Sequence, residues 1–118
     1  MEILRLLDEI NKIERYEVVK YRHWDGGFYY RLKIQFKDNS ALFVREHIDG
    51  TERNYAFHWQ DENNNLITRW DNASHHAHLF TFPHHKHTPE GVAESGAMTL
   101  PDVLAEIRKI KESKAESS

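Results

Sequence analysis

The chain has no cysteine in its 118 residues. A disulfide scaffold, a thiolate zinc site and a cysteine nucleophile are therefore excluded, and the absence fits a reducing compartment. The chain also lacks any apolar run that approaches the ~20 residues needed to cross a bilayer. Its first residues are amphipathic rather than signal-like. These absences predict a cytoplasmic protein that has no membrane partner.

A strong charge of one sign is also missing, since 16 basic residues face 19 acidic ones and the formal net charge is -3. That balance does not by itself mark a nucleic-acid-binding protein. An apolar fraction of 39% and an aromatic fraction of 12% suit a globular protein, and a chain of this length supports one domain with a modest core. We predict a single domain over residues 1–113 and a frayed tail over 114–118.

The spacing of apolar residues predicts the elements of the fold. Helical spacing indicates two amphipathic helices, over residues 2–13 and about 100–113. Between them, alternating segments separated by short turn sequences predict five strands, over 16–25, 28–37, 41–48, 53–60 and 66–71. Short turns favour antiparallel neighbours. The predicted fold class is α+β with two layers: a five-stranded antiparallel meander sheet, and the N- and C-terminal helices packed on one face.

The turn sequences also predict how the strands pair. A two-residue Gly26-Gly27 turn would place Val19 opposite Ile34 and Tyr21 opposite Leu32. Further along the sheet, the prediction places Leu32 near Glu46, Val44 near Phe57, and Phe57 near Trp70. All these side chains would then face the helices.

The opposite face of the predicted sheet is rich in cations. It would carry seven basic residues and one acid, Asp71, together with aromatic side chains; the basic residues are Lys20, Arg22, Arg31, Lys33, Lys37, Arg45 and Arg69. Cations mixed with aromatic rings are typical of sheets that bind single-stranded nucleic acid. An ordinary solvated sheet face is also polar. The predicted RNA-binding residues are Arg31, Lys33, Arg45, His58 and Arg69.

Six of the nine histidines lie between residues 75 and 87, in two similar clusters. These are His75-His76-Ala77-His78 and His84-His85-Lys86-His87. They fall in the stretch 72–99, which has no clear period and is predicted to be a loop; loops of this length are usually functional or disordered. Imidazole can accept a proton, donate one or bind a metal. One interpretation is a divalent metal site, for zinc or manganese, with His76, His78, His85 and His87 as ligands beside Asp71.

A second interpretation is metal-free cleavage of RNA. Two histidines would supply the base and the acid, and Lys86 would supply a cation for the developing phosphorane charge. Asp71 or Asn72 would orient one imidazole. A third interpretation is that the histidines form structural hydrogen bonds or a surface for a partner. No cofactor is required by the second or the third interpretation.

Two signatures in this region resemble the TumE-type toxin family. The resemblance is carried by Tyr55-Ala56-Phe57-His58-Trp59-Gln60, Leu66-Ile67-Thr68-Arg69-Trp70-Asp71-Asn72-Ala73, His75-His76 and Thr81-Phe82-Pro83-His84-His85-Lys86-His87. It covers the chain from about residue 21 to the C-terminal helix. Members of this family are small prokaryotic proteins encoded beside a DNA-binding antitoxin, TumA. The resemblance therefore implies the toxin of a toxin–antitoxin pair, with a TumA-like protein as its partner.

The residues and the resemblance together give one functional hypothesis. The protein is a cytoplasmic toxin that acts on RNA, as a ribonuclease, through its histidine-rich loop. The predicted catalytic residues are Asp71, Asn72, His75, His76, His84, His85, Lys86 and His87. The alternative is a non-enzymatic, histidine-rich module that binds a metal or a partner.

Overall fold

The computed structural model describes residues 2–73 and 83–117. Within these residues the chain forms one antiparallel sheet of seven strands, which lie in the sheet in chain order. The strands are β1 (Ile13–Trp24), β2 (Gly27–Phe36), β3 (Ala41–Asp49), β4 (Glu52–Gln60), β5 (Leu66–Asp71), β6 (His85–Thr88) and β7 (Gly91–Glu94). The α+β class and the antiparallel meander were predicted correctly, but the prediction of five strands was wrong.

The two unpredicted strands lie inside the stretch that was predicted to be a loop. Strands β6 and β7 have four residues each and are joined by a turn at Pro89-Glu90, after which Gly91 adopts a φ of 128°. A positive φ favours glycine, which has no Cβ. Four residues are too few to show an alternation, and histidine, lysine and glutamate do not mark a strand. The residues of this segment therefore carry no clear strand signal.

The helices are α1 (Glu2–Glu9) and α2 (Leu100–Ser117). The first ends four residues before the predicted 13, and the second ends four residues after the predicted 113. Thr99 and Asp102 form the expected capping box, with the Thr99 N–H donating to the Asp102 carboxylate at 3.0 Å and the Asp102 N–H donating to the Thr99 hydroxyl at 3.4 Å. Both helices contribute to the buried core that covers one face of the sheet, through Leu7, Leu100, Val103 and Ile107.

The pairing of β3, β4 and β5 follows the prediction, whereas the pairing of β1 and β2 does not. Val44 faces Phe57, and Phe57 faces Trp70, as expected. However, the first turn is Asp25-Gly26 rather than Gly26-Gly27, because Gly27 is a strand residue whose Cβ would collide with the Ile48 carbonyl and the Trp24 indole. The observed pairs of β1 with β2 are therefore Val18 with Leu32 and Tyr21 with Tyr30. The predicted pairing of Leu32 near Glu46 was also wrong, because Leu32 pairs with Val44, and Glu46 pairs with Tyr30.

Candidate functional site

The face of the sheet that points away from the helices, called the outer face below, contains two rows of side chains. Residues that pair across strands lie on the same face. One row crosses the sheet from β2 to β6 through Lys33, Phe43, His58, Arg69 and His87. The neighbouring row runs from β1 to β6 through Lys20, Arg31, Arg45, Ala56, Asp71 and His85. All five predicted RNA-binding residues lie in these two rows, beside part of the histidine cluster.

Asp71, the last residue of β5, is the centre of the most densely connected group on the outer face. Its Oδ1 lies 2.7 Å from Nε2 of His85, and its Oδ2 lies 3.6 Å from Nε2 of His87. Arg69 donates from Nε to Oδ2 at 3.1 Å, and the Ala73 N–H donates to Oδ1 at 3.0 Å. The side chains of Asp71 and His85 are 8% and 2% exposed, whereas that of His87 is 29% exposed. His87 is therefore the more solvent-accessible of the two histidines beside Asp71.

A backbone carbonyl fixes the ring of His85. Its Nδ1 lies 2.9 Å from the carbonyl oxygen of Pro83. Since a carbonyl can only accept, Nδ1 carries a proton and donates it, and Nε2 is the nitrogen that faces Asp71. The His87 ring meets the His85 ring edge-on, with the centroids 4.9 Å apart. Sequence reasoning missed this role of Pro83, because the contact uses a backbone atom that every residue type has.

Asp71, His85 and His87 form a group that can hold a metal ion. Each residue offers one ligand atom, and these atoms lie within 4.8 Å of one another. Two imidazoles and one carboxylate form a ligand set that zinc and other divalent transition metals accept. The Nδ1 bond of His85 to a carbonyl is the usual outer support of a histidine ligand. The group contains two of the four predicted metal-binding histidines and Asp71.

His58 stands next to Arg69 on the outer face, with its Nδ1 3.5 Å from Nη1 of the arginine. Burial is the main cause that lowers the pKa of His58, the charge of Arg69 lowers it further, and a hydrogen bond with Gln60 acts in the opposite direction. The ring is therefore neutral at neutral pH. Sequence reasoning assigned His58 to RNA binding alone. The register between β4 and β5, which was predicted correctly, is the signal that could have placed it beside Arg69.

The other two residues of the second histidine cluster lie on the helix-facing side, because successive side chains of a strand alternate. His84 precedes β6, and its Nδ1 lies 2.8 Å from the Tyr55 hydroxyl; burial, followed by the charges of Arg53 and His85, lowers the pKa of His84. Lys86 donates to Glu106 of α2 at 3.2 Å. The structure therefore brings His85 and His87 together with Asp71, and places His84 and Lys86 on the opposite side of the sheet.

Asn72 contacts the backbone of β4. Its Oδ1 accepts from the Tyr55 N–H at 2.9 Å, and its Nδ2 donates to the Arg53 carbonyl at 2.6 Å. The side chain thus extends the hydrogen bonding between β4 and β5 by one residue. These contacts fix the position of the chain directly after Asp71. The remaining predicted catalytic residues, His75 and His76, and the predicted metal ligand His78 lie outside the described residues.

Comparison with known protein families matches residues 3–111 of the chain to the family described as Toxin TumE. This match includes every site residue described above. No curated protein and no solved structure gives a significant match. Of the helices that the structure describes, none combines the length and the apolar character that crossing a membrane requires.

Proposed function

The chain belongs to the TumE toxin family, as its signatures predicted, and from that premise we propose that it is a toxin that cleaves RNA on the outer face of its sheet. One observation carries the proposal: His58, Arg69 and His87 stand side by side on the adjacent strands β4, β5 and β6. We call these three residues the acid–base row. They would supply a base, a cation and an acid on one partly exposed surface, which is the set that RNA cleavage by its own 2′-OH requires.

The rest of the outer face supports binding of a polyanion. Arg31 and Arg45 are both exposed and oppose each other directly across β2 and β3. Like charges in opposed positions destabilise a sheet, and the phosphates of a nucleic acid would relieve that repulsion. Phe43 is exposed beside them, with the Lys33 ammonium 5.6 Å from its ring centroid. An exposed ring next to cations suits stacking of an unpaired base.

The spacing of the acid–base row suits transfer of two protons around one phosphate. Neighbouring strands lie about 4.8 Å apart, so His58 and His87, two strands apart, are separated by roughly 10 Å, with Arg69 between them. His58, neutral because its pKa is lowered, would take the proton of the ribose 2′-OH while that oxygen attacks the adjacent phosphorus. The P–O5′ bond would break, and a protonated His87 would give its proton to the departing O5′.

The remaining parts of the mechanism concern charge and position. Arg69 would stabilise the negative charge that develops on the phosphorane oxygens. Asp71 would hold Arg69 and the protonated His87 in place, since its Oδ2 faces both. The products would be a 2′,3′-cyclic phosphate and a free 5′-hydroxyl, and this step consumes no water.

Single substitutions in purified protein test the proposal. We expect His58→Ala and His87→Ala each to lower the rate of RNA cleavage by about a hundredfold or more, as loss of a general acid or base does. His23→Ala, which removes an exposed histidine of β1, is the matched control and should leave the rate unchanged. Cleavage at the parent rate by both His58→Ala and His87→Ala would exclude the acid–base row as the site of chemistry.

A second candidate follows from the Asp71, His85 and His87 group. A divalent ion such as zinc or manganese held there would supply Lewis-acid chemistry to an enzyme, and it would also suit a non-enzymatic metal- or partner-binding module. Two measurements distinguish metal-free cleavage, metal-dependent cleavage and a non-enzymatic binding module. These are the metal content of the purified protein and its rate of RNA cleavage in the presence of a chelator. Cleavage that survives metal removal favours the acid–base row. Bound metal without any cleavage favours the binding module.

Family membership also bears on the partner. A toxin of this family has a cognate antitoxin. We propose that the antitoxin is a DNA-binding, TumA-like protein and that both act in the cytoplasm, where RNA is available to the outer face. Co-purification of the two proteins, followed by binding of the complex to promoter DNA, tests the DNA-binding assignment; a complex that does not bind DNA would contradict it.

A further inference from the structure

Strand β1 presents an open edge. It is the first of the seven strands in the sheet order and pairs with β2 on one side. Among the described residues, no strand pairs with its other side. With 12 residues β1 is also the longest strand, whereas β7 at the opposite edge has four. Edge strands in natural proteins are usually short or covered, because their free N–H and C=O groups pair readily with another chain.

Apolar side chains accompany this open edge. Of the six large apolar side chains exposed in the described residues, four belong to β1, and their exposed fractions lie between 39% and 49%: Val18, Val19, Tyr21 and Trp24. Val18 and Tyr21 pair with the buried residues Leu32 and Tyr30, so they point to the helix-facing side of the sheet. The helices leave them exposed. An apolar strip therefore continues the core outward along one side of β1.

The outer side of β1 carries several cations, with Trp24, which pairs with Gly27, at its end. Lys20 pairs with Arg31, and Arg22 pairs with Tyr29 of β2. The one acid on this side that pairs with β2 is Glu17, which faces Lys33. An extended segment that lies beside β1 would thus meet apolar side chains on one side and positive charge on the other. Since side chains alternate along a strand, the complementary segment alternates apolar and acidic residues.

We propose that the antitoxin supplies this segment, which adds to the sheet beside β1 as an eighth strand. Strand addition uses main-chain hydrogen bonds for affinity and alternate side chains for specificity. A second copy of this chain fits less well, because pairing of two β1 edges would bring the cationic outer sides of both copies together. The inference depends on membership of the toxin family and not on RNA cleavage, so failure of the ribonuclease proposal leaves it standing.

Hydrogen exchange of the full-length toxin, alone and with its purified cognate antitoxin, tests the proposal without any substitution. We expect the amides of β1 (Ile13–Trp24) to become protected in the complex, and those of the other edge, β7 (Gly91–Glu94), to exchange as before. Unchanged exchange in β1 on formation of the complex would overturn the proposal.

Substitutions on the two edges give an independent test by titration of toxin with antitoxin. Tyr21→Lys replaces an exposed apolar side chain of β1 and should weaken antitoxin binding about tenfold or more, as loss of a central interface residue does. Val92→Lys makes the same kind of change on β7, where Val92 is also exposed, and should leave the affinity unchanged. Parent-like affinity of Tyr21→Lys would contradict antitoxin docking. The proposal would also be contradicted if the parent toxin alone sediments as a dimer and the Tyr21→Lys variant as a monomer. The segment beside β1 would then belong to a second copy of the toxin.

Discussion

Two histidines of the acid–base row differ in what surrounds their rings. His58 is partly buried and lies beside the Arg69 guanidinium, and both conditions lower its pKa. His87 instead stands 3.6 Å from the Asp71 carboxylate. A neighbouring cation disfavours a protonated ring, whereas a neighbouring anion pairs with one. These surroundings support the proton transfers proposed above, in which His58 would accept and His87 would donate.

The titration of His58 gives the first prediction. Its midpoint, followed by the NMR signals of the ring, should lie below the ordinary value of 6.5. Arg69→Gln should move the midpoint part of the way back up, because the charge is removed while burial, the larger cause, remains. Since the base must be neutral, RNA cleavage should persist to pH values below 6.5 and decline only as the pH falls through the lowered pKa.

A control for this titration is Lys109→Gln, which removes an exposed cation from α2 on the other side of the molecule. It should leave the midpoint of His58 where the parent has it. A midpoint at or above 6.5 in the parent would remove the reason for naming His58 as the base.

At the scale of elements, the predictable part of the fold is the part with long strands and clear turns. Strand β5 (Leu66–Asp71) was predicted to the residue, and β3 and β4 to within one residue at each end. Their alternation spans at least six residues, and turn residues such as Gly50-Thr51 separate them. The first turn was misplaced by one residue because two consecutive glycines fit either position. Strands β6 and β7 were missed because four residues are too few to show a period.

The candidate site was predictable in residue type but not in arrangement. The sequence grouped Asp71 with His84, His85, Lys86 and His87, and all of these lie near one end of β5 and β6. Which of them share a face depends on the alternation of β6, and that strand was not predicted. The same alternation turns His84 and Lys86 to the helix-facing side, where they form hydrogen bonds with Tyr55 and Glu106.

Asn72 gives a prediction at this scale, because it fastens the end of β5 to β4. Asn72→Ala would leave the Tyr55 N–H and the Arg53 carbonyl without the partners that the side chain supplies. Loss of such bonds at a partly buried position costs about 1–3 kcal/mol. Urea unfolding should show this decrease in the free energy of unfolding. Asn54→Ala, which changes an exposed asparagine of β4, should stay within about 0.5 kcal/mol of the parent. Equal stability of the two variants would show that the Asn72 contacts do not hold the strand end.

At the scale of the whole molecule, the distribution of charge matters more than its sum. The formal net charge is -3, yet Lys20, Arg31 and Arg45 form an uninterrupted cationic run across β1, β2 and β3. Such a run costs folding stability, since its members repel one another. It lies on the face that carries the acid–base row. We therefore interpret the run as a feature kept for a polyanionic ligand at some expense to the fold.

Arg45→Glu tests this interpretation, because it should change stability and binding in opposite directions. An acid between Arg31 and Ala56 would replace repulsion by attraction, so the free energy of unfolding should stay equal or rise, by up to about 1 kcal/mol. Affinity for single-stranded RNA should fall. The slope of log affinity against log salt concentration should decrease by about one, as expected for the loss of one phosphate contact. Lys109→Glu makes the same change of charge on α2 and should leave RNA affinity nearly unchanged. A variant that misfolds would lose stability and RNA affinity together. Weaker binding by a variant of equal or higher stability therefore cannot result from unfolding. Unaltered RNA affinity of Arg45→Glu would instead show that the outer face does not hold the RNA.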